Sequence, residues 1–188
     1  YKIEDEALAQ DPFLERSCCI ALIGECTVSC NQWPPANRPD NHLQVRLRRA
    51  FPNQNVVVRN YGDAGGSARG FLDSNRIDQI LQELPQINIA YLRYGINDRK
   101  IDGVSGCIRY LRLICERLKE ACPDVAIIIE TNIWVDYPQH NLRDRNARLA
   151  PLYEAMRRFA EKDGYPVVDI FKKMEEETGK GHWDLRVR

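Results

Sequence analysis

Short, continuous apolar runs alternate along this chain with longer stretches whose apolar residues recur every three or four positions. The first run, 18–23, has strand length and no polar face, as a central parallel strand buried on both sides requires. Runs at 56–58, 87–92, 125–129 and 166–170 repeat that signal. Between them, helical spacing predicts helices over about 42–51, 67–84, 104–118 and 143–162. The third is the clearest, with Val104, Cys107, Ile108, Leu111, Ile114, Cys115 and Leu118 on one stripe and Pro123 just past its end. In the fourth the stripe is Leu149, Leu152, Met156, Phe159 and Ala160, with Gly164 as the stop. A short charged helix, about 171–178, follows the last strand.

Strands alternating with helices imply βαβ units, right-handed crossovers and a parallel sheet. The expected fold is a three-layer α/β/α domain over residues 1–188, with a five-stranded parallel sheet in the flavodoxin-like order 2-1-3-4-5. Residues 1–16 are polar and read as an N-terminal extension anchored by Leu8, Phe13 and Leu14. The segment 31–40 holds three prolines and reads as a long irregular connection. Near the C-terminus Trp183, Leu185 and Val187 alternate with charged residues, as in an edge strand or a packed arm.

In a parallel sheet all loops following strands emerge at the carboxyl edge, where ligands bind. With strand 1 between strands 2 and 3, three such loops become neighbours. They carry Gly24-Glu25-Cys26, then Asn60-Tyr61-Gly62-Asp63-Ala64-Gly65, then Gly95-Ile96-Asn97-Asp98. Cys26 stands at a strand-to-helix turn, where a helix N-terminus favours anionic sulfur. Gly65 has no side chain to keep a ligand from its backbone N–H, and Asn97 offers an amide donor. Two such donors aimed at one point make an oxyanion hole. Each residue also has a plain structural reading: the glycines shape turns, Asn97-Asp98 caps a helix, and Cys26 is a small buried hydrophobe. Arg93 and Arg99, beside the third loop, read as surface charge.

Composition narrows the partners. Acidic and basic residues balance at 27 each, so no net field favours nucleic acid or an anionic membrane. No run approaches the ~18 apolar residues of a membrane span. Seven cysteines without a CxxC pair match neither a disulfide framework nor a zinc site. Cys18, Cys19, Cys107, Cys115 and Cys122 read as buried thiols, which favours a reducing, cytoplasmic compartment. A chain opening on Tyr1 rather than Met leaves a removed leader, and hence secretion or the periplasm, open.

The three blocks, in this order and spacing on an α/β pattern, resemble the SGNH (GDSL-like) hydrolases, a superfamily of esterases, lipases and carbohydrate deacetylases. Gly24-Glu25-Cys26 looks like the Gly-Asp-Ser block, Asn60 to Gly65 like the glycine block, and Gly95-Ile96-Asn97-Asp98 like the Gly-x-Asn-Asp block. The resemblance covers about 18–170. It implies acyl- or acetyl-ester hydrolysis without cofactor or metal, on small-molecule or carbohydrate esters. Cys26 would be the nucleophile, Gly65 and Asn97 the oxyanion donors, and Gly24, Glu25, Asn60 and Asp98 their support. Two departures stand out. The nucleophile position holds Cys rather than Ser, so Cys26 is a thiol nucleophile, an inactivating substitution or an oxidation-prone residue. The family's Asp-x-x-His base block is absent: His42, His140 and His182 do not fit it, and the base is expected beyond Arg188. A non-catalytic binding or scaffold protein on the same fold is the alternative. A flavodoxin-like mononucleotide binder is disfavoured, because the loop after strand 1 lacks a phosphate-cradling run of Ser, Thr and Gly.

Overall fold

A computed structural model describes residues 17–84, 86–134 and 143–179. The extension 1–16, His140, His182 and the 183–187 stretch lie outside the described residues. The strands are β1 (Cys18–Gly24), β2 (Val56–Gly62), β3 (Ile89–Arg93), β4 (Ala126–Glu130) and β5 (Val167–Val168). All pair in parallel, in the order β2-β1-β3-β4-β5. The helices are α1 (Cys26–Ser29), α2 (Pro39–Ala50), α3 (Ala68–Asp73), α4 (Arg76–Glu83), α5 (Asp98–Ile101), α6 (Gly103–Ala121), α7 (Arg143–Asp163) and α8 (Ile170–Gly179).

The period of two along a strand divides the core into two layers. Cys19, Ala21 and Ile23 of β1 join the larger cluster, packed against α3, α4, α6 and α7. Ile20 and Leu22 face the other way, where Leu43 and Leu47 of α2 cover them. The α6 stripe is fully buried at Cys107, Leu111, Ile114, Cys115 and Leu118, whereas Val104, at its first turn, is exposed and Ile108, at its edge, is partly buried. Each such apolar side chain contributes roughly 1.5–3 kcal/mol, which makes α6 a main anchor of its layer. β1 lies centrally, with Gly24 registered against Gly62 on one side and Arg93 on the other. The first three strands therefore end level, and their loops leave side by side.

Several boundaries differ from the periodicity. The helix expected over 67–84 is two helices, because Asn75 takes a left-handed conformation, φ 50°; the Asp73-Ser74-Asn75 run favours a turn over continued helix. The strand expected over 56–58 continues to Gly62, since pairing with β1 rather than β-branched side chains sets its end. The proline-rich 31–40 segment is not wholly irregular: Pro35–Asn37 forms a 3-10 turn, and Pro39 opens α2, a position whose missing N–H costs the helix nothing. The spacing of Leu43, Leu47, Ala50 and Phe51 predicts one apolar face for α2, yet Phe51 is 51% exposed. All seven cysteines are free thiols; Cys19, Cys107 and Cys115 are buried as expected, whereas Cys18 and Cys122 are only half-buried.

Candidate active site

Close backbone approach explains the glycine that ends β1. A Cβ on Gly24 would lie 2.3 Å from the Arg93 carbonyl oxygen and 2.6 Å from Val28 Cγ2. Only a bare Cα lets α1 start there and lets the Glu25 N–H reach the Arg93 oxygen, at 3.3 Å. Gly62 plays the same part at the end of β2, where a Cβ would meet the Ser29 nitrogen at 2.2 Å. Asn60 braces this contact from below. Its amide donates to Val28 O at 2.7 Å and to Asp40 Oδ1 at 3.1 Å, and its oxygen accepts the Gly62 N–H. Asn60 thus ties β2 to both α1 and the start of α2.

The loop after β2 is a tight turn from Asp63 to Gly66, closed by Gly66 N–H to Asp63 O at 3.0 Å. Gly65 sits in it at φ 77°, with nothing where a Cβ would be. Asp63 N–H bonds Gly24 O at 2.9 Å, which holds this turn over the end of β1. The Gly65 turn thus sits beside Cys26, where the N–H groups of Gly65 and of Cys26 itself favour the anionic form of the sulfur. The third loop closes on the second. Asn97 Nδ2 donates to Gly66 O at 2.9 Å, so one of its two protons holds the Gly65 turn. Asp98, wholly buried, accepts from Ala68 N at 2.7 Å and Gly95 N at 2.9 Å. Burial raises its carboxyl above the ordinary range, against the pull of those N–H donors. Cys26 and Glu25 therefore meet directly, the Gly65 turn is tied to the end of β1 through Asp63 and Gly24, Asn97 joins that turn through Gly66, and Gly24, Asn60 and Asp98 shape the loops from beneath.

Glu25 is the hub of the first loop. Its side chain is fully buried and caps α1, accepting from Thr27 N at 3.1 Å, Thr27 Oγ1 at 2.6 Å and Asn132 Nδ2. It also accepts from the Cys26 thiol, Sγ to Oε2 at 2.9 Å. This changes the expected character of the sulfur. Burial first, then the hydrogen bond and charge of Glu25, push the Cys26 thiol up to about 11, while the Gly65 and Cys26 N–H groups pull it down. The expectation that a helix N-terminus favours anionic sulfur fails here for a physical reason. One turn of helix has a weak terminal field, and a carboxylate stands against the sulfur.

Several site-shaping residues were missed. β4 ends in Glu130-Thr131-Asn132 at the same sheet edge. Asn132, wholly buried, accepts the Ile133 N–H at 2.7 Å while its amide holds Glu25. Arg93 is no surface charge: its Nε and Nη2 each lie 2.8 Å from Glu130 Oε2, both side chains are 12% exposed, and Nη1 donates to Thr27 O at 3.1 Å. The signal for all of these was a polar run directly after an apolar strand, the cue already used for the first three loops. His42 is exposed on α2.

A parallel doubly wound sheet whose carboxyl edge gathers a thiol, a glycine turn and an Asn-Asp pair has the architecture of the esterase class resembled above. The sequence model of the GDSL-like Lipase/Acylhydrolase family matches residues 26–186. This chain belongs to that family. Rhamnogalacturonan acetylesterase RhgT of Bacillus subtilis (strain 168) is 26% identical over 163 residues, 82% of this chain and 65% of that protein. The chain thus spans about two thirds of the length of that curated relative, 65%. Among solved structures, the acetylxylan esterase Axe2 from Geobacillus stearothermophilus superposes with a TM-score of 0.64 at 20% identity, covering 86% of this chain and 80% of that one. LAE5, an alpha/beta hydrolase enzyme from the metagenome of Lake Arreo, Spain, gives 0.66 at 18% identity, covering 89% and 86%. These structural likenesses concern the fold. Among the described residues no His, Cys, Asp and Glu group has the makings of a metal site, and no helix is long and apolar enough to cross a membrane.

Proposed function

We propose that this chain hydrolyses acyl esters, with acetyl groups borne on carbohydrates as the substrate class, and that Cys26 is its nucleophile. The observation that carries this reading is the Gly65 turn held over the end of β1 beside Cys26, by Asp63 N–H to Gly24 O at 2.9 Å and by Asn97 Nδ2 to Gly66 O at 2.9 Å. A carbonyl carbon brought to that sulfur places its oxygen beside that turn. As the S–C bond forms, negative charge moves onto that oxygen, where the Gly65 and Cys26 N–H groups and the second proton of the Asn97 amide stabilise it. Collapse breaks the ester C–O bond, and the alkoxide leaves as the alcohol with the equivalent of the proton the thiol gave up; water then adds to the thioester, and C–S cleavage frees the acid and restores the thiol. The family relatives named as acetylesterases of rhamnogalacturonan and xylan support the choice of acetyl and carbohydrate.

The thiol must first lose its proton, and Glu25 keeps that proton in place. This favours a second reading, a carbohydrate-binding member of the family that does not turn over. Hydrolysis of p-nitrophenyl acetate by the wild type, Cys26→Ser and Cys26→Ala separates the two. The hydrolase reading expects wild-type turnover that Cys26→Ala abolishes, with a rate that keeps climbing from pH 7 towards 10. Folded wild type and Cys26→Ser both without turnover would establish the binding reading instead.

A further inference from the structure

The Gly65 turn has a second neighbour besides Cys26. Gly65, whose N–H favours the anionic sulfur, also lines a cavity of about 310 Å³, together with Asp63, Gly66, Phe71, Arg76 and Tyr94. The turn itself, the first residues of α3, the start of α4 and the residue following β3 thus enclose one space. Its volume is at the lower end of the roughly 300–1,000 Å³ of small-molecule pockets, which suits a single small ring and not a chain. Gly65, at φ 77°, adds no side chain to the wall.

Tyr94 sets this cavity apart. The residue is 1% exposed, and its ring packs against Phe71 with centroids 6.1 Å apart. Its hydroxyl bonds to no described residue, yet it is not sealed from solvent, so the small exposed remnant of Tyr94 includes that oxygen, and it opens on the cavity. A buried hydroxyl without a partner carries an uncompensated desolvation cost, which a ligand in the cavity would relieve. Burial holds the phenol well above its ordinary range, with Asp98 and Asp63 adding to the effect and Arg76 opposing it. The group therefore stays protonated and can both donate and accept. Asp63 and Arg76 form no ion pair among the described residues, with each other or elsewhere; Arg76 Nη1 donates only to Gln79 Oε1, at 2.9 Å. The lining thus offers a hydroxyl, a carboxylate, a guanidinium and an aromatic wall, with no net charge.

We propose that this cavity seats one neutral sugar ring, the ring that carries the ester, and that Tyr94, Asp63 and Arg76 bond its hydroxyls. A neutral polyol suits the lining because an anion would meet Asp63 and a cation Arg76. Gly65 belongs both to the cavity wall and to the donors at Cys26. An ester whose carbonyl oxygen is held at Gly65 therefore has its alcohol carbon, only a few bonds away, at the mouth of the cavity. Tyr94, Asp63 and Arg76 then set specificity for the alcohol part without touching the reacting carbonyl. This rests on the reading of the site as one for carbohydrate esters.

Isothermal titration calorimetry of the full chain with methyl β-D-xylopyranoside tests the cavity without requiring turnover. Tyr94→Phe keeps the ring and removes only the hydroxyl, and affinity falls about five- to tenfold. Ala64→Leu, at an exposed residue of the same cavity wall, fills the space and lowers affinity further. Trp33→Ala, an exposed aromatic outside the cavity, leaves it unchanged. With an acetylated methyl xyloside as substrate, Tyr94→Phe raises KM by the factor seen in binding. On p-nitrophenyl acetate, which carries no sugar, the same variant keeps the wild-type kcat and KM. No binding by the wild type, unaltered binding in Tyr94→Phe or in Ala64→Leu, or equal losses on the two esters would overturn the subsite. Absence of p-nitrophenyl acetate turnover would count against the hydrolase reading and leave the calorimetric result standing.

Discussion

Cys26 alkylation by iodoacetamide offers the most direct check on the electrostatics of the first loop. At pH 8 a thiol raised to about 11 is about 0.1% thiolate, against about a quarter for a free cysteine near 8.5. That ratio alone slows the reaction roughly 200-fold. A more basic thiolate is also more nucleophilic, with a Brønsted slope of about 0.4–0.5, which restores roughly tenfold over a 2.5-unit difference. The net expectation is a rate roughly 20-fold below that of the same cysteine in the denatured chain. Peptide mass spectrometry separates Cys26 from the other six cysteines. Steric shielding could also slow the reaction, so the pH profile is the sharper readout. The rate should rise about tenfold per pH unit from 8 to beyond 10 without levelling. Glu25→Gln should move the midpoint down by removing the charge, but not to the free value, because burial is the largest contribution. A plateau already reached between pH 9 and 10, or an unmoved midpoint in Glu25→Gln with its fold intact by circular dichroism, would refute the placement of that carboxylate against the sulfur.

Asn97→Ala should lower kcat by about 10²–10³ if its second amide proton serves the oxyanion, and steady-state kinetics on p-nitrophenyl acetate reads it. Gly62→Ala must place a Cβ 2.2 Å from the Ser29 nitrogen, so urea unfolding should register a loss of about 1–3 kcal/mol or more. Glu130→Ala strands the Arg93 guanidinium, and the expected loss is about 3–5 kcal/mol; Thr27 O keeps only one of its bonds, so chemical denaturation should show partial compensation at most. Stability should also fall at high pH. Cys26 is raised to about 11 and buried Cys115 to about 12, so the folded state holds protons that the unfolded chain releases from about pH 8.5 upward. That contribution is complete below about 8.5 and is lost as pH climbs through the folded values; a Tm that stays level between pH 8.5 and 10.5 would contradict it.

Local pattern carried most of the architecture because a parallel sheet leaves a distinctive trace: uninterrupted apolar strands such as Cys18–Gly24, separated by helices with one apolar stripe such as Gly103–Ala121. The strand order was expected by analogy with flavodoxin-like sheets, and the structure has that order, which makes neighbours of the loops holding Cys26, Gly65 and Asn97. Element ends were less legible. β2 is extended by its pairing with β1, and the helix after it breaks at Asn75, effects that depend on neighbours rather than on side-chain type.

What the sequence by itself determined was therefore which residue types arrive at the carboxyl edge: glycines for close approach, an Asn-Asp pair, and a thiol where the family resembled keeps a hydroxyl. What only the tertiary structure decided was their state. Asn132, 107 positions away from Glu25, completes the shell around that carboxylate, and Arg93 is drawn inward by Glu130 from the neighbouring strand. A thiol's proton affinity depends on burial and on charges within a few ångströms, and those are properties of folded neighbours. Gly24-Glu25-Cys26 as a string suggests a helix-activated sulfur; folded, the same three residues hold a sulfur whose proton is retained by the carboxylate beside it.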